Sequence, residues 1–279
     1  NQPGWGETAE QWWTFYDTRA WEAGGFAWTG FDYRGEPTPY GWPSINSQFG
    51  IVDTCGFPKD TFFYYKSWWG KDPVVHLFPH WNFEGREGDE IPVWVHSNLE
   101  TVELFVNGQS QGAKPVPHLG HVEWKVRYAP GVIEARGTRN GKIVLTVKRE
   151  TTGPVTALRL TADRTEIDAD GEDVAMVKVE ALDKDGRAVP TAQHQVAFKV
   201  SGAGALIGVG NGDPNCQESD KEPRRSLFNG LAQVILQSTR QPGTIEMEAV
   251  NLVRHQEVTP ARLTITTKPV TPRPSVPEI

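Results

Sequence analysis

The chain has 279 residues, with 28 Lys and Arg against 35 Asp and Glu, a formal net charge of -7 and a mean hydropathy of -0.48. That length accommodates two or three domains of about 100 to 150 residues each. The mild acidity is spread along the chain and excludes the clustered basic face of a nucleic-acid binder, and no run of about 18 apolar residues offers a membrane-spanning helix.

The opening, Asn1-Gln2-Pro3-Gly4-Trp5, lacks the charged, apolar and small-residue zones of a signal peptide, so the chain is cytosolic or its true beginning lies upstream. Thr8 to Tyr16 then reads as a helix. Thr8 is its capping residue, and Trp12, Phe15 and Tyr16 form one stripe. Gly24 to Phe31 follows as a short, nearly continuous apolar run, the pattern of a strand buried on both sides in a parallel α/β sheet. Helix then buried strand is half of a repeating unit and cannot close a sheet by itself.

Asp32 to Tyr40 is dense in groups that bind hydroxyls and stack on sugar faces. In barrels of alternating strands and helices, active sites form at the carboxyl ends of the strands, where Trp28, Asp32 and Glu36 fall. A plainer reading of the same residues pairs Asp32 with Arg34, lets Glu36 cap a turn and puts Trp28 in the core. Within residues 1–81 lie 9 of the 11 Trp and 13 of the 18 Phe and Tyr. A segment of that length cannot bury so much aromatic surface alone, so much of it is expected to pack against something or face a ligand.

From about residue 90 the pattern becomes period-two alternation. Val93 and Val95, Val102 to Val106, Val122 to Val126 and Ile143 to Val147 each place apolar side chains on one strand face. Asn107-Gly108 and Asn140-Gly141 supply hairpin turns. Residues 73–150 therefore read as a small antiparallel β-sandwich. Thr151-Thr152-Gly153-Pro154 marks a boundary. Beyond it Leu158 and Leu160, Val177 and Val179, Val196 to Val200, Val234 and Leu236, Ile245 and Met247, and Leu263 and Ile265 predict a second sandwich, with a turn at Asp185-Gly186. It is immunoglobulin-like in architecture, without the Cys and Trp pattern of antibody domains. Gly208 to Gly212 suggests a phosphate loop, but no helix pattern follows it, and a turn between strands accounts for it. Pro269, Pro272, Pro274 and Pro277 predict a tail over 271–279.

Cys55 and Cys216 are too few for a disulfide framework and read as buried thiols. Pro79 between His76 and His80 breaks any helix that would align them as metal ligands, so no metal and no cofactor are expected.

The run from Gly25 to Tyr40, with Trp42-Pro43-Ser44, Phe49-Gly50-Ile51, Gly56 to Asp60 and Tyr65 to Trp69, closely resembles the end of the catalytic barrel in family 2 glycoside hydrolases. The β-galactosidases with extra C-terminal sandwich domains are the nearest branch. Val102 to Gly108 and Gly208 to Pro214 are similar to that branch's accessory domains. The resemblance implies a mainly β chain: the last strand and helix portion of a (β/α)8 barrel over 1–72, then β-sandwiches over 73–150 and 151–270. It implies a retaining hydrolase of β-galactosides whose acid/base and nucleophile glutamates lie upstream of Asn1, with no catalytic residue in the chain itself. It further implies that Trp28 walls the subsite of the non-reducing sugar and that Glu36 accepts its hydroxyl protons, with Asp32 and Tyr33 as further binding or loop-supporting residues. The expected partners are a β-galactoside or related oligosaccharide and the N-terminal barrel portion of the same enzyme. The sandwiches serve as scaffold, bracing the barrel or a homo-oligomer interface. A β-glucuronidase or β-mannosidase of the same family, and a free-standing carbohydrate-binding or adhesion module, are the competing expectations.

Overall fold

A computed structural model of the chain describes residues 6–271, so Asn1–Trp5 and most of the expected tail, 272–279, lie outside the described residues. The chain is mainly β and divides into two compact units, Asn1–Thr151 and Thr152–Ile279.

In the first unit the helix predicted after Thr8 is α1 (Ala9–Asp17). Gln11 N–H donates to Thr8 Oγ1 (3.2 Å) and Thr8 N–H to Gln11 Oε1 (3.1 Å), a reciprocal cap that satisfies two otherwise orphaned donors. A second helix, α2 (Asp60–Trp69), buries Tyr64, Tyr65 and Ser67 and stops at Gly70. Trp12 and Trp13 of α1 face α2, with the Trp12 ring 6.3 Å from Tyr65 and the Trp13 ring 5.6 Å from Trp69, while Tyr16 packs beside Trp12, ring centroids 5.0 Å apart. Phe15, the third residue of the stripe, stays half exposed under the Arg19 guanidinium.

The strands of this unit are β1 (Val75–Phe78), β2 (Glu90–Ser97), β3 (Thr101–Val106), β4 (Gln109–Pro115), β5 (Val122–Arg127), β6 (Val132–Arg139) and β7 (Lys142–Glu150). They form two antiparallel sheets, ordered β1-β2-β5 and β4-β3-β6-β7. Most alternating residues fall where the period dictates, Val93 opposite Trp124 and Leu104 opposite Ala135, but Ile143 is 59% exposed beside a register shift between Gly137 and Thr138. Leu77, Val93, Val95, Leu104 and Ile133 have no exposed surface in the shared core, each burial contributing roughly 1.5–3 kcal/mol. Both predicted Asn-Gly turns have positive φ at the two central residues, 49° and 80° at Asn107-Gly108 and 52° and 71° at Asn140-Gly141. That geometry matches the right-handed twist of the flanking strands.

Polar contacts fasten the helices to the first of these sheets. Tyr64 Oη donates to the Leu119 carbonyl (2.7 Å), and Phe63 stacks flat on His76, ring centroids 3.7 Å apart. The ring of His76 meets Asp60 Oδ1 (2.8 Å). Glu10 and Asp17 of α1 meet His121 (2.7 Å) and His118 (3.1 Å). His96 lies among these groups, buried, with its Nδ1 lacking a hydrogen-bond partner.

The second unit contains β8 (Ala157–Ala162), β9 (Glu166–Asp168), β10 (Val174–Leu182), β11 (Gln195–Gly202), β12 (Gly204–Gly210), β13 (Arg224–Ser226), β14 (Leu231–Ser238), β15 (Gly243–Asn251) and β16 (Ala261–Lys268). A four-stranded sheet, β12-β14-β10-β8, and a five-stranded one, β13-β11-β15-β16-β9, enclose a core of Val177, Val196, Val234, Leu236, Ile245 and Ile265. Among the described residues these strands pair antiparallel with one another, except that β9 runs parallel to β16.

Three expectations need correction. Residues 24–30 are not a doubly buried strand: only Phe31 makes a bridge, parallel to Val52, and Phe26 is 100% exposed. Among the described residues no further parallel strand lies beside this run, so its apolar side chains have no sheet to enter. The glycines at 208–210 are not a turn but the end of β12, paired to β14 across a bulge between Leu206 and Gly208. Absence of side chains hid the strand from any periodicity test. Cys55 and Cys216 form no disulfide and are partly exposed rather than buried, and Cys216 Sγ accepts from the buried Arg225 Nη1 (2.9 Å).

Burial, with His76 and His121 close by, pushes His96 down from 6.5 to about 3. The unfolded chain therefore takes up this proton below about pH 6.5 while the folded ring stays neutral, and stability falls as the pH drops through that window. The expected loss is on the order of 2 kcal/mol at pH 5 relative to pH 7. Urea denaturation at the two pH values, with His96→Phe as the variant that flattens the difference, measures it.

Candidate functional site

The segment after the apolar run is held by three short backbone pairings. Ile51 and Val52 N–H donate to the Thr29 and Gly30 carbonyls (both 2.9 Å), and Asp32 N–H returns to Val52 (3.0 Å). Ser47 N–H donates to Tyr33 (2.9 Å) and Gly35 N–H to Ile45 (2.8 Å), an antiparallel pairing. The chain between these strands, 36–44, forms a tip containing Pro37, Pro39 and Pro43. The third pairing, Val52 with Pro58, brings in the start of α2.

Asp32 is only 7% exposed and points inward. Its carboxylate pairs with Lys59 Nζ, accepts from Gly50 N–H (2.7 Å) and from Ser47 Oγ (3.4 Å), while Lys59 also donates to the Gln48 carbonyl (3.1 Å). Lys59, not Arg34, is thus the partner of Asp32. The approach at Gly50 is so close that a Cβ there would lie 2.3 Å from Asp32 N and 2.6 Å from Val52 O. Only glycine fits. Asp53 ties the next turn, accepting from Cys55 N–H (2.8 Å) and Phe57 N–H (2.9 Å), and burial pushes its carboxyl up.

The other three predicted residues come together. Trp28 Nε1–H donates to Tyr33 Oη (3.3 Å), and Tyr33 Oη in turn donates to Glu36 Oε2. The Tyr33 ring stands edge-on to Trp28 (6.2 Å, 77°) and to Phe49 (5.9 Å, 72°). The Glu36 carboxylate, followed by burial, pushes the Tyr33 hydroxyl above the usual phenol range. Glu36 has a φ of 47°, a left-handed conformation that disfavours a side-chain-bearing residue by about 1 kcal/mol. The Trp28–Thr29 peptide bond is cis. Trp28 is 75% exposed, and Trp21, Phe26, Phe31 and Trp42 are exposed with it. An indole face and an ionised carboxylate joined through one phenol suit a neutral polyol: the ring covers C–H surface and the carboxylate accepts hydroxyl protons.

The residues that sequence reasoning missed are Lys59, Ser47 and Gly50. Their signal was the Phe49-Gly50-Ile51 and Pro58-Lys59-Asp60 runs, whose conformational duty is visible only once Asp32 is seen to turn inward. A groove of about 950 Å³ lies elsewhere in the same unit, lined by residues that include Glu10, Phe15, Tyr64, Phe78, Trp94, His96 and His121. None of the four predicted residues lines it. Among the described residues no cluster of His, Cys, Asp or Glu is spaced to hold a metal ion.

Residues 158–259 match the glycoside hydrolase family 2 C-terminal domain 5, and residues 88–145 match a domain of unknown function, DUF4982. The chain is 43% identical over 250 residues to beta-galactosidase BoGH2A of Bacteroides ovatus, covering 88% of this chain and 29% of that protein. It is 34% identical over 242 residues to a putative beta-glucuronidase of Formosa agariphila, covering 84% of this chain and 23% of the relative. Among solved structures, a beta-glycosidase from Bacteroides vulgatus superposes with a TM-score of 0.87 at 35% identity, over 93% of this chain and 33% of that one. The chain therefore spans a third or less of the length of each of these relatives.

Asp32→Asn removes the charge that compensates Lys59 and is expected to weaken this loop by roughly 1–3 kcal/mol, below the value for a fully buried pair because Lys59 is partly exposed. Native-state amide exchange should accelerate at Gly50 and Ser47, whereas β2 and β3 keep their protection.

Proposed function

This chain is a C-terminal portion of a family 2 glycoside hydrolase, and from that premise we propose that the whole enzyme is a retaining β-galactosidase. In this reading the residues up to 72 close its catalytic (β/α)8 barrel, 73–150 form an accessory sandwich, and 151–270 form an immunoglobulin-like sandwich that braces it. The observation that carries the reading is the Trp28–Tyr33–Glu36 assembly, an exposed ring and a carboxylate held together at the end of an aromatic run that lacks its sheet.

Trp28 forms the wall against which the apolar face of the non-reducing galactosyl unit stacks, a contact contributing roughly 0.5–1.5 kcal/mol. Glu36 accepts hydroxyl protons, at roughly 1.5–3 kcal/mol for each charge-assisted bond. Neither residue performs the chemistry. A retaining glycosidase requires two carboxyl groups about 5–5.5 Å apart, one attacking the anomeric carbon and the other protonating the leaving oxygen. Those two glutamates belong to the part of the enzyme that covers the Trp21, Phe26 and Phe31 side chains. Asp32, turned inward on Lys59, supports the loop in this scheme and does not touch sugar.

A second reading, a β-glucuronidase, draws on relatives that carry that name. A glucuronide brings its own carboxylate toward the Glu36 anion, and like charges at short range repel, which favours a neutral sugar. A free-standing binding module predicts instead that the front segment is shielded by its own chain.

In the full-length enzyme Glu36→Ala should lower kcat/KM on nitrophenyl β-galactoside about 10- to 150-fold, and the galactoside should be hydrolysed in preference to the glucuronide. The 279-residue chain by itself should turn over neither substrate; measurable hydrolysis by it sinks the proposal. Its tryptophan emission should be red-shifted and readily quenched by iodide, whereas a blue-shifted, protected spectrum favours the free-standing module.

A further inference from the structure

We propose that Tyr33 is a positioning residue of the sugar subsite, setting the Trp28 ring and the Glu36 carboxylate as one rigid unit without itself binding sugar. This rests on the reading of Trp28 and Glu36 as the sugar-facing pair and adds to it how that pair is aimed.

A phenol hydroxyl has one proton to donate and lone pairs to accept with. Tyr33 Oη donates its proton to Glu36 Oε2 and accepts the indole proton of Trp28 (3.3 Å). Its single proton is committed to the carboxylate, which leaves none to donate to a ligand, and Oε1 becomes the oxygen that Glu36 offers to a sugar hydroxyl. Both flanking side chains need such a guide. Glu36 sits on an exposed tip with a φ of 47°, and Trp28 is 75% exposed, so neither is fixed by packing.

Tyr33 is fixed. Its N–H donates to Ser47 Oγ (3.1 Å) and its carbonyl accepts from Ser47 N–H (2.9 Å). Ser47 Oγ continues to the buried Asp32 (3.4 Å), which is anchored on Lys59. The ring is wedged edge-on between Trp28 and Phe49. A chain of contacts thus runs from a buried carboxylate paired with a partly exposed lysine, through one backbone clamp, to two exposed groups. The neighbouring carboxylate pushes the phenol upward, which keeps the bridging proton in place at neutral pH.

The test is a double-mutant cycle in the full-length enzyme on nitrophenyl β-galactoside, with Tyr33→Phe, Glu36→Ala and the double variant. Tyr33→Phe keeps the ring and removes only the bridge. It should raise KM about tenfold with a smaller change in kcat and a melting temperature close to that of the parent. In the Glu36→Ala background the same substitution should change KM less than twofold, since no carboxylate remains to aim. Equal effects of Tyr33→Phe in both backgrounds overturn the inference, because Tyr33 then acts independently of Glu36. It is also overturned, with the sugar subsite left standing, if Glu36→Ala impairs the enzyme while Tyr33→Phe does not. If Glu36→Ala itself changes nothing, the subsite reading falls and this inference with it.

Discussion

A carboxylate taken out of water must find donors within the chain, and Asp32 finds three of them: Lys59, Gly50 N–H and Ser47. These come from three points of a loop that has little regular structure of its own. By drawing them to one place, the buried charge fixes the path from residue 28 to α2. The order of the exposed pair follows from that anchor. Tyr33 is the next residue along, its backbone is clamped by the same Ser47, and its hydroxyl extends the order outward to Trp28 and Glu36. A motif that reads as a row of sugar ligands therefore has two layers, one inward and structural, the other outward and chemical.

The strands were legible in the sequence because period-two burial leaves a plain trace. Val93, Val95, Leu104, Val177, Val234 and Ile245 lie where alternation puts them, and both Asn-Gly turns adopt the predicted positive φ. The strands that escaped notice have physical reasons to. Strand β4, Gln109–Pro115, is exposed at every position, so hydrophobic pattern carries no information about it. Strand β12 ends in Gly208-Val209-Gly210, where two of three residues have no side chain to alternate. Strands β9 and β13 are three residues long and are defined by partners distant in sequence.

At the candidate site, residue identity was legible and orientation was not. Trp28, Tyr33 and Glu36 could be named from composition and resemblance, but sequence gives no sign that Asp32 faces inward toward a lysine 27 positions later in the chain. Spacing pointed to Arg34 as the nearest cation, and tertiary pairing chose Lys59 instead. The apolar run before the loop was misjudged for a related reason. Its composition describes the environment a strand requires, which a sheet must provide, and the described residues supply only the short pairing with 51 and 52.

The prolines of the 36–44 tip have a consequence for solubility. Exposed backbone next to bare aromatic rings is a template for edge-to-edge aggregation when it is extended, and this tip is instead closed into turns, with Tyr40 N–H donating to Pro37 and Ser44 N–H to Gly41 (both 3.0 Å). Pro37, Pro39 and Pro43 have no amide proton to give a strand ladder. The exposed rings thus sit beside a backbone stretch that resists being zipped into a fibril.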